Sequence, residues 1–132
     1  MTSPASAPLF HAVLWVDHEQ ARVLQFHAEH LQASKVKAHH HNTRRHKSEV
    51  RTEHEYFGSV CDALQGITEV LVVGPKMALA DLRHYVEKHR PHTLPQLVGW
   101  EVSEQQTEAQ LVALARRFFL KFDAFAADPA AR

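Results

Sequence analysis

The chain has 132 residues, a length that suits one domain built around a single hydrophobic core. Fifteen Lys and Arg balance fifteen Asp and Glu, so no overall positive charge marks the chain as a nucleic-acid-binding protein. The single cysteine, Cys61, excludes an internal disulfide, and the sequence contains neither a bilayer-spanning apolar stretch nor a signal-peptide pattern. We therefore expect a cytoplasmic protein with no membrane partner.

The two ends of the chain differ in composition from the part between them. Residues 1–8, rich in Thr, Ser, Ala and Pro, predict a flexible leader, and residues 128–132 predict a frayed tail. Residues 9–127 are the predicted single domain.

Three strands are predicted first. Phe10 to Val16 and Ala21 to Phe26 are short apolar runs joined by the polar residues 17–20, which is the pattern of a β-hairpin. Glu29 to Ala38 continues as a more polar third strand with two lysines alternating onto one face. Lysines in this arrangement are typical of an edge strand that resists aggregation.

The stretch that follows, residues 39–51, is named here the histidine-rich segment. It has no apolar periodicity and is predicted to be an exposed loop. Long loops in compact domains are usually functional or disordered, so the loop is the expected contact element. From residue 35 to residue 51, six cationic residues and one acid give a net charge of +5 that the neutral total hides. The cations are Lys35, Lys37, Arg44, Arg45, Lys47 and Arg51.

A helical period begins after this segment. Thr52 to Glu55 fits a capping box, and apolar residues follow at spacings of three and four. This stripe predicts a buried Cys61 that does not act as a nucleophile.

Further elements follow in alternation. Val70 to Val73 predicts a strand covered on both faces, Leu79 to His89 predicts an amphipathic helix that ends at Pro91, and Leu97 to Val102 predicts the last strand. Thr107 to Gln110 is a second capping box, which begins a helix reaching Phe122.

The element order β-β-β-α-β-α-β-α predicts an α/β protein with the ribonuclease H-like fold. We expect a mixed five-stranded sheet with helices on both faces, and a crevice at the ends of the first, fourth and fifth strands. Asp17 and Glu101 would lie near it. Gly74 and Lys76, at a strand-to-helix junction there, could bind an anion, but a plain turn with Pro75 at the helix start explains the same residues and is the favoured interpretation.

Several stretches between about residues 10 and 122 resemble one known family. They are Trp15 to Asp17 with Ala21 to Val23, Val70 to Pro75, Tyr85 to His89, Val98 to Glu101, and Thr107 to Phe119. In these stretches the sequence is similar to the middle domain of eukaryotic and archaeal class I peptide-chain release factors and Pelota, and to their small bacterial relatives, which include host-attachment proteins. This resemblance implies a translational machinery component.

The chain departs from that family at the histidine-rich segment. Release factors carry a Gly-Gly-Gln tip at this position, where the Gln helps position water at the peptidyl-tRNA ester, and this sequence has no Gly-Gly-Gln. We also expect the chain to lack the family's neighbouring domains. Peptide release is therefore not supported, and we expect a binding module without a cofactor.

The favoured hypothesis is binding to RNA or the ribosome, in which cations neutralise phosphates and histidines stack on bases. The residues expected to contact RNA are Lys35, Lys37, His40, His41, Arg44, Arg45, His46, Lys47 and Arg51.

Two alternatives use other residues. A divalent metal could be held by His39 and His41 with His46 or His54, although this spacing matches no standard zinc pattern. A two-metal nuclease would need several carboxylates, of which only Asp17 and Glu53 or Glu55 are candidates. Asp17 is also explained as a turn residue, and the glutamates as helix-capping partners. The sequence leaves the oligomeric state open.

Overall fold

A computed structural model describes residues 9–26, 31–38 and 46–127, which form five strands, three α-helices and one 3₁₀-helix. In chain order these are β1 (Leu9–Val16), β2 (Gln20–Phe26), β3 (Leu31–Lys37), α1 (His46–Ala63), β4 (Ile67–Gly74), α2 (Lys76–His89), the 3₁₀-helix (Pro91–Gln96), β5 (Leu97–Val102) and α3 (Glu108–Ala127).

The strands form one mixed sheet in the order β3-β2-β1-β4-β5. The β1–β2 and β2–β3 pairs are antiparallel, whereas β1–β4 and β4–β5 are parallel. This confirms the predicted five-stranded α/β architecture and its element order.

The two central strands, β1 and β4, are buried on both faces. Residues 12–16 of β1 and 70–73 of β4 are at most 1 % exposed. Continuous apolar runs of this kind are typical of strands that lie between two helical layers.

Alternate residues of the central strands pack against different helices. Leu14 and Val72 lie in a cluster with the apolar residues of α1 and α2. Val13 and Leu71 lie in a second cluster with Leu111 and other residues of α3. The sheet therefore separates two cores, with α1 and α2 on one face and α3 on the other, as predicted.

The prediction for the start of α1 is wrong. The helix begins at His46, so residues 46–51 of the histidine-rich segment are helical, and Thr52 is a buried residue inside the helix and not its N-cap. The first turns of α1 have no apolar stripe, so periodicity gave no signal there, although Lys, Glu and Arg have good helix propensity. Residues 39–45 of the predicted loop lie outside the described residues.

The second capping box is confirmed. The backbone N–H of Thr107 donates to Gln110 Oε1 at 2.9 Å, and the N–H of Gln110 donates to Thr107 Oγ1 at 3.1 Å. Two amide hydrogens at the start of α3 are thus satisfied reciprocally, which fixes where this helix begins.

Cys61 is buried on α1, as predicted, with 2 % of its surface exposed. Burial raises the pKa of its thiol, so less thiolate forms at a given pH than in an exposed cysteine.

We expect a disulfide-exchange reagent at pH 8 to react with Cys61 of the native protein roughly a hundredfold more slowly than with Cys61 of the protein in denaturant. Equal rates in a stopped-flow absorbance measurement would contradict this burial.

Gly74 ends β4 beside the last residue of β1, Val16. A Cβ built on it would lie 2.1 Å from the backbone oxygen of Val16, and both atoms belong to central strands that cannot move apart freely.

We expect Gly74→Ala to lower the free energy of unfolding by about 3 kcal/mol, measured by urea denaturation. Thr68→Ala, at an exposed position of the same strand, is the control and should change it by less than about 0.5 kcal/mol.

Candidate functional site

Several ionisable side chains of the described residues lie together at one edge of the sheet. Because β2 alone runs in the opposite direction, β1, β3, β4 and β5 all end at this edge, which we call the carboxyl edge. The three helices begin there. The carboxyl ends of parallel strands are the usual place for a binding site in such sheets.

Asp17 follows β1 at the carboxyl edge and serves the turn to β2. Its Oδ1 accepts hydrogen bonds from the backbone N–H groups of Glu19 and Gln20, both at 2.8 Å. This is an Asx-type turn, which confirms the interpretation of Asp17 as a turn residue.

Tyr56 of α1 fixes the same turn to the helical layer. Its hydroxyl donates to the backbone oxygen of Asp17 at 2.8 Å. Burial and the nearby Asp17 carboxylate raise the pKa of Tyr56 far above its ordinary value, so the phenol remains a donor.

A cluster of three ionisable side chains lies beside this turn and is called here the His18 cluster. His18 Nε2 lies 2.8 Å from Asp81 Oδ2, and the side chains are about half exposed. Glu53 joins them, since one ligand atom from each of the three residues lies within 4.8 Å of the others. The turn, α1 and α2 each supply one member.

The sequence predicts a role for only one member of this cluster, Glu53. Glu53 was considered as a nuclease carboxylate or a capping partner, but it lies inside α1, which begins seven residues earlier. Glu55, the other glutamate considered, is exposed on α1. His18 and Asp81 were missed because their proximity depends on how α2 packs beside the β1–β2 turn, and no spacing in the sequence reports that.

The predicted basic residues fall on two sides of the sheet. Lys35 pairs with Arg22, which pairs with Trp15, and Trp15 packs in the core under α3. Directly paired residues point to the same face, so Lys35 and Lys37 lie on the α3 side and are exposed. Arg51 is exposed on α1, which covers the opposite face.

The remaining predicted RNA contacts lie in or near the part of the chain that the structure does not describe. His40, His41, Arg44 and Arg45 are outside the described residues, as is His39 of the alternative metal set. His46 and Lys47 form the first turn of α1. Their roles therefore remain predictions.

His54, a member of the alternative metal set, is exposed on α1. Its ring centroid lies 4.9 Å from that of His89 and 5.4 Å from that of Tyr85. Among the described residues its aromatic neighbours are thus on α2, and a site shared with His39, His41 and His46 remains a prediction.

The junction between β4 and α2 matches the simpler of its two interpretations. Pro75 is the N-cap of α2 with an extended backbone, and Lys76 is its exposed first residue. The backbone oxygen of Gly74 accepts a hydrogen bond from the N–H of Ser103 at 2.8 Å. Anion binding by Gly74 and Lys76 is untested by this geometry and remains a prediction.

Comparison with solved structures identifies proteins of similar fold. The Pelota protein of Archaeoglobus fulgidus matches 81 % of this chain with a TM-score of 0.56 at 14 % identity, and that of Thermoplasma acidophilum matches 82 % with 0.56 at 16 %. The archaeal translation termination factor aRF1 matches 89 % with a TM-score of 0.53 at 15 % identity. At such identities the likeness shows the fold alone.

The matches involve only part of each neighbour. This chain covers 30 % and 33 % of the two Pelota chains and 41 % of aRF1. No family profile matches the sequence, and no curated protein does. Among residues 9–26, 31–38 and 46–127, no helix has the length and apolar character needed to cross a membrane.

The Asx turn yields a matched pair of substitutions. Asp17→Ala removes the acceptor of two backbone N–H groups, and we expect it to lower the free energy of unfolding by about 1–2 kcal/mol. Asp17→Asn keeps an oxygen acceptor and should cost less than half as much. Urea denaturation of both variants measures the difference, and equal losses would mean that the charge of Asp17, and not its turn geometry, stabilises the fold.

Proposed function

We propose that this chain is a non-catalytic, translation-associated module that binds RNA, alone or within the ribosome. The contact surface consists of Lys35, Lys37 and the histidine-rich segment. The observation that carries the proposal is that two exposed lysines lie on an edge strand that leads directly into the most basic part of the chain.

The placement of charge supports contact at the β3 end of the carboxyl edge. Lys35 and Lys37 approach this end from the α3 side of the sheet, and Arg51 approaches it from the α1 side. The segment between them contributes Arg44, Arg45 and Lys47, and its histidines can stack on unpaired bases. A single RNA strand crossing this edge would meet cations from both faces.

The His18 cluster limits where such a strand could lie. Glu53 and Asp81 place two carboxylates beside the β1–β2 turn, and they would repel phosphates there. Arg51 is two residues before Glu53 on α1, a spacing that points side chains in different directions. The proposed RNA path therefore stays at the β3 end of the carboxyl edge and avoids the His18 cluster.

We propose that the chain binds RNA without hydrolysing it or a bound substrate. The sequence has no Gly-Gly-Gln. The carboxylate of Asp17, a candidate nuclease ligand, already accepts two backbone hydrogen bonds in its turn. The similarity of fold to Pelota and to a translation termination factor supports the translational setting, and an RNA partner fits that setting.

The proposal predicts salt-dependent RNA affinity. If about five phosphates are engaged, a log-log plot of affinity for single-stranded RNA against salt should have a slope of roughly −3 to −4. Arg44→Gln/Arg45→Gln/Lys47→Gln should reduce both this affinity and co-sedimentation with ribosomes roughly tenfold or more.

A matched variant separates this surface from general charge. Lys88→Gln/Arg117→Gln/Lys121→Gln removes the same charge from exposed positions of α2 and α3 and should bind almost as well as the unmodified chain. Equal losses in the two triple variants would refute the proposed surface, and an absence of RNA binding at low salt would refute the function.

A further inference from the structure

A second cluster of ionisable side chains lies at the opposite edge of the sheet, where β1 and β4 begin, and is called here the His11 cluster. His11 of β1 is paired in register with Glu69 of β4, and Asp123 extends towards them from α3. The ring of His11 stacks on Phe119 with centroids 4.3 Å apart and an interplanar angle of 24°. This stacking orients the imidazole towards both carboxylates.

The distances in this cluster suit a shared cation. His11 Nε2 lies 3.0 Å from Glu69 Oε1 and 3.0 Å from Asp123 Oδ2, and the three atoms all lie within 4.8 Å of one another. Adjacent ligands of an octahedral ion at about 2.1 Å are separated by about 3.0 Å. A ring nitrogen carries at most one hydrogen, so Nε2 cannot donate a full hydrogen bond to both oxygens.

Glu69 supplies an independent observation. Its Oε1 is buried, and although it lies close to Nε2, it receives no hydrogen bond of good geometry from the described residues. A buried carboxylate oxygen without a donor is costly, and a bound cation would offset that cost.

We propose that His11 Nε2, Glu69 and Asp123 bind a divalent first-row transition-metal ion, such as Zn²⁺ or Mn²⁺. One imidazole and two carboxylates suit this class of ion, and water completes its coordination. The ion would join β1, β4 and α3, because each of these elements supplies one ligand. It therefore stabilises the attachment of the second half of α3 to the sheet.

The His18 cluster has the same residue types but a weaker case. There His18 and Asp81 already form a direct contact at 2.8 Å, and their side chains are 47 % and 40 % exposed. In the His11 cluster the side chains of His11 and Glu69 are 28 % and 22 % exposed, whereas that of Asp123 is 48 % exposed. Less competition from water at His11 and Glu69 favours the His11 cluster as the tighter site.

The test must separate this cluster from the other histidines of the chain, of which there are 12 in all. Substoichiometric Mn²⁺ added to the ¹⁵N-labelled full chain should broaden backbone amide signals most strongly around His11, Glu69 and Asp123. A parallel Zn²⁺ titration by calorimetry measures affinity.

Glu69→Gln preserves shape and removes one ligand charge, so we expect affinity at this site to fall roughly tenfold or more and the local broadening to disappear. Glu87→Gln makes the same chemical change on exposed α2, where Glu87 contacts Arg83, and should leave both readouts unchanged. Asp123→Asn, at a half-exposed position, should weaken binding similarly and guards against a folding defect in the first variant. The NMR spectrum reports folding directly.

Three outcomes would overturn the proposal. In the first, broadening centres on the His18 cluster or the histidine-rich segment, with none near His11. In the second, the amide signals near His11 broaden as much in the Glu69→Gln variant as in the unmodified chain. In the third, no metal binds in either experiment. RNA affinity is measured separately, so a failure here leaves the proposed function standing.

Discussion

The parallel pairing of β1 with β4 is the constraint on which the other features depend. These strands are buried on both faces, so their backbone groups must be satisfied by each other and by β2 and β5. Gly74 shows how closely they approach, since even one added carbon would meet the Val16 carbonyl. The helices cover the side chains of these two strands. One set of alternate residues packs against α1 and α2, and the other set packs against α3.

This central pair also decides where polar chemistry can lie. The interior of β1 and β4 has no room for an ionised group, so charged residues are confined to the strand ends and to the edge strands. His11 lies near the start of β1 and His18 lies just after its end. Each of these histidines meets two carboxylates supplied by other elements, on opposite faces of the sheet.

The edge strand β3 carries exposed positive charge. β3 pairs with one neighbour only, and its exposed lysines protect its free edge while adding positive charge beside the histidine-rich segment. The acidic side chains of the His18 cluster lie nearby at the same edge, so the carboxyl edge carries charge of both signs in separate places.

Local patterns were sufficient for much of the fold. Apolar runs, helical periods and the Thr107–Gln110 capping box each concern residues that are neighbours in sequence, and they predicted the element order and the buried Cys61. The same patterns place the start of α1 too late, because residues 46–51 have no apolar periodicity in the sequence. They also begin β4 three residues late, where Thr68 and Glu69 interrupt the apolar run.

The two polar clusters have a different origin. His11, Glu69 and Asp123 are far apart in the chain, and none belongs to a recognisable motif. Their meeting depends on the register of β1 against β4 and on the position of α3 across that pair. Local periodicity reports which face of an element is buried, but register and helix placement result from packing between elements. The type and order of the elements could therefore be read from the residues, whereas the juxtaposition of these side chains arises only when the sheet and its helices assemble.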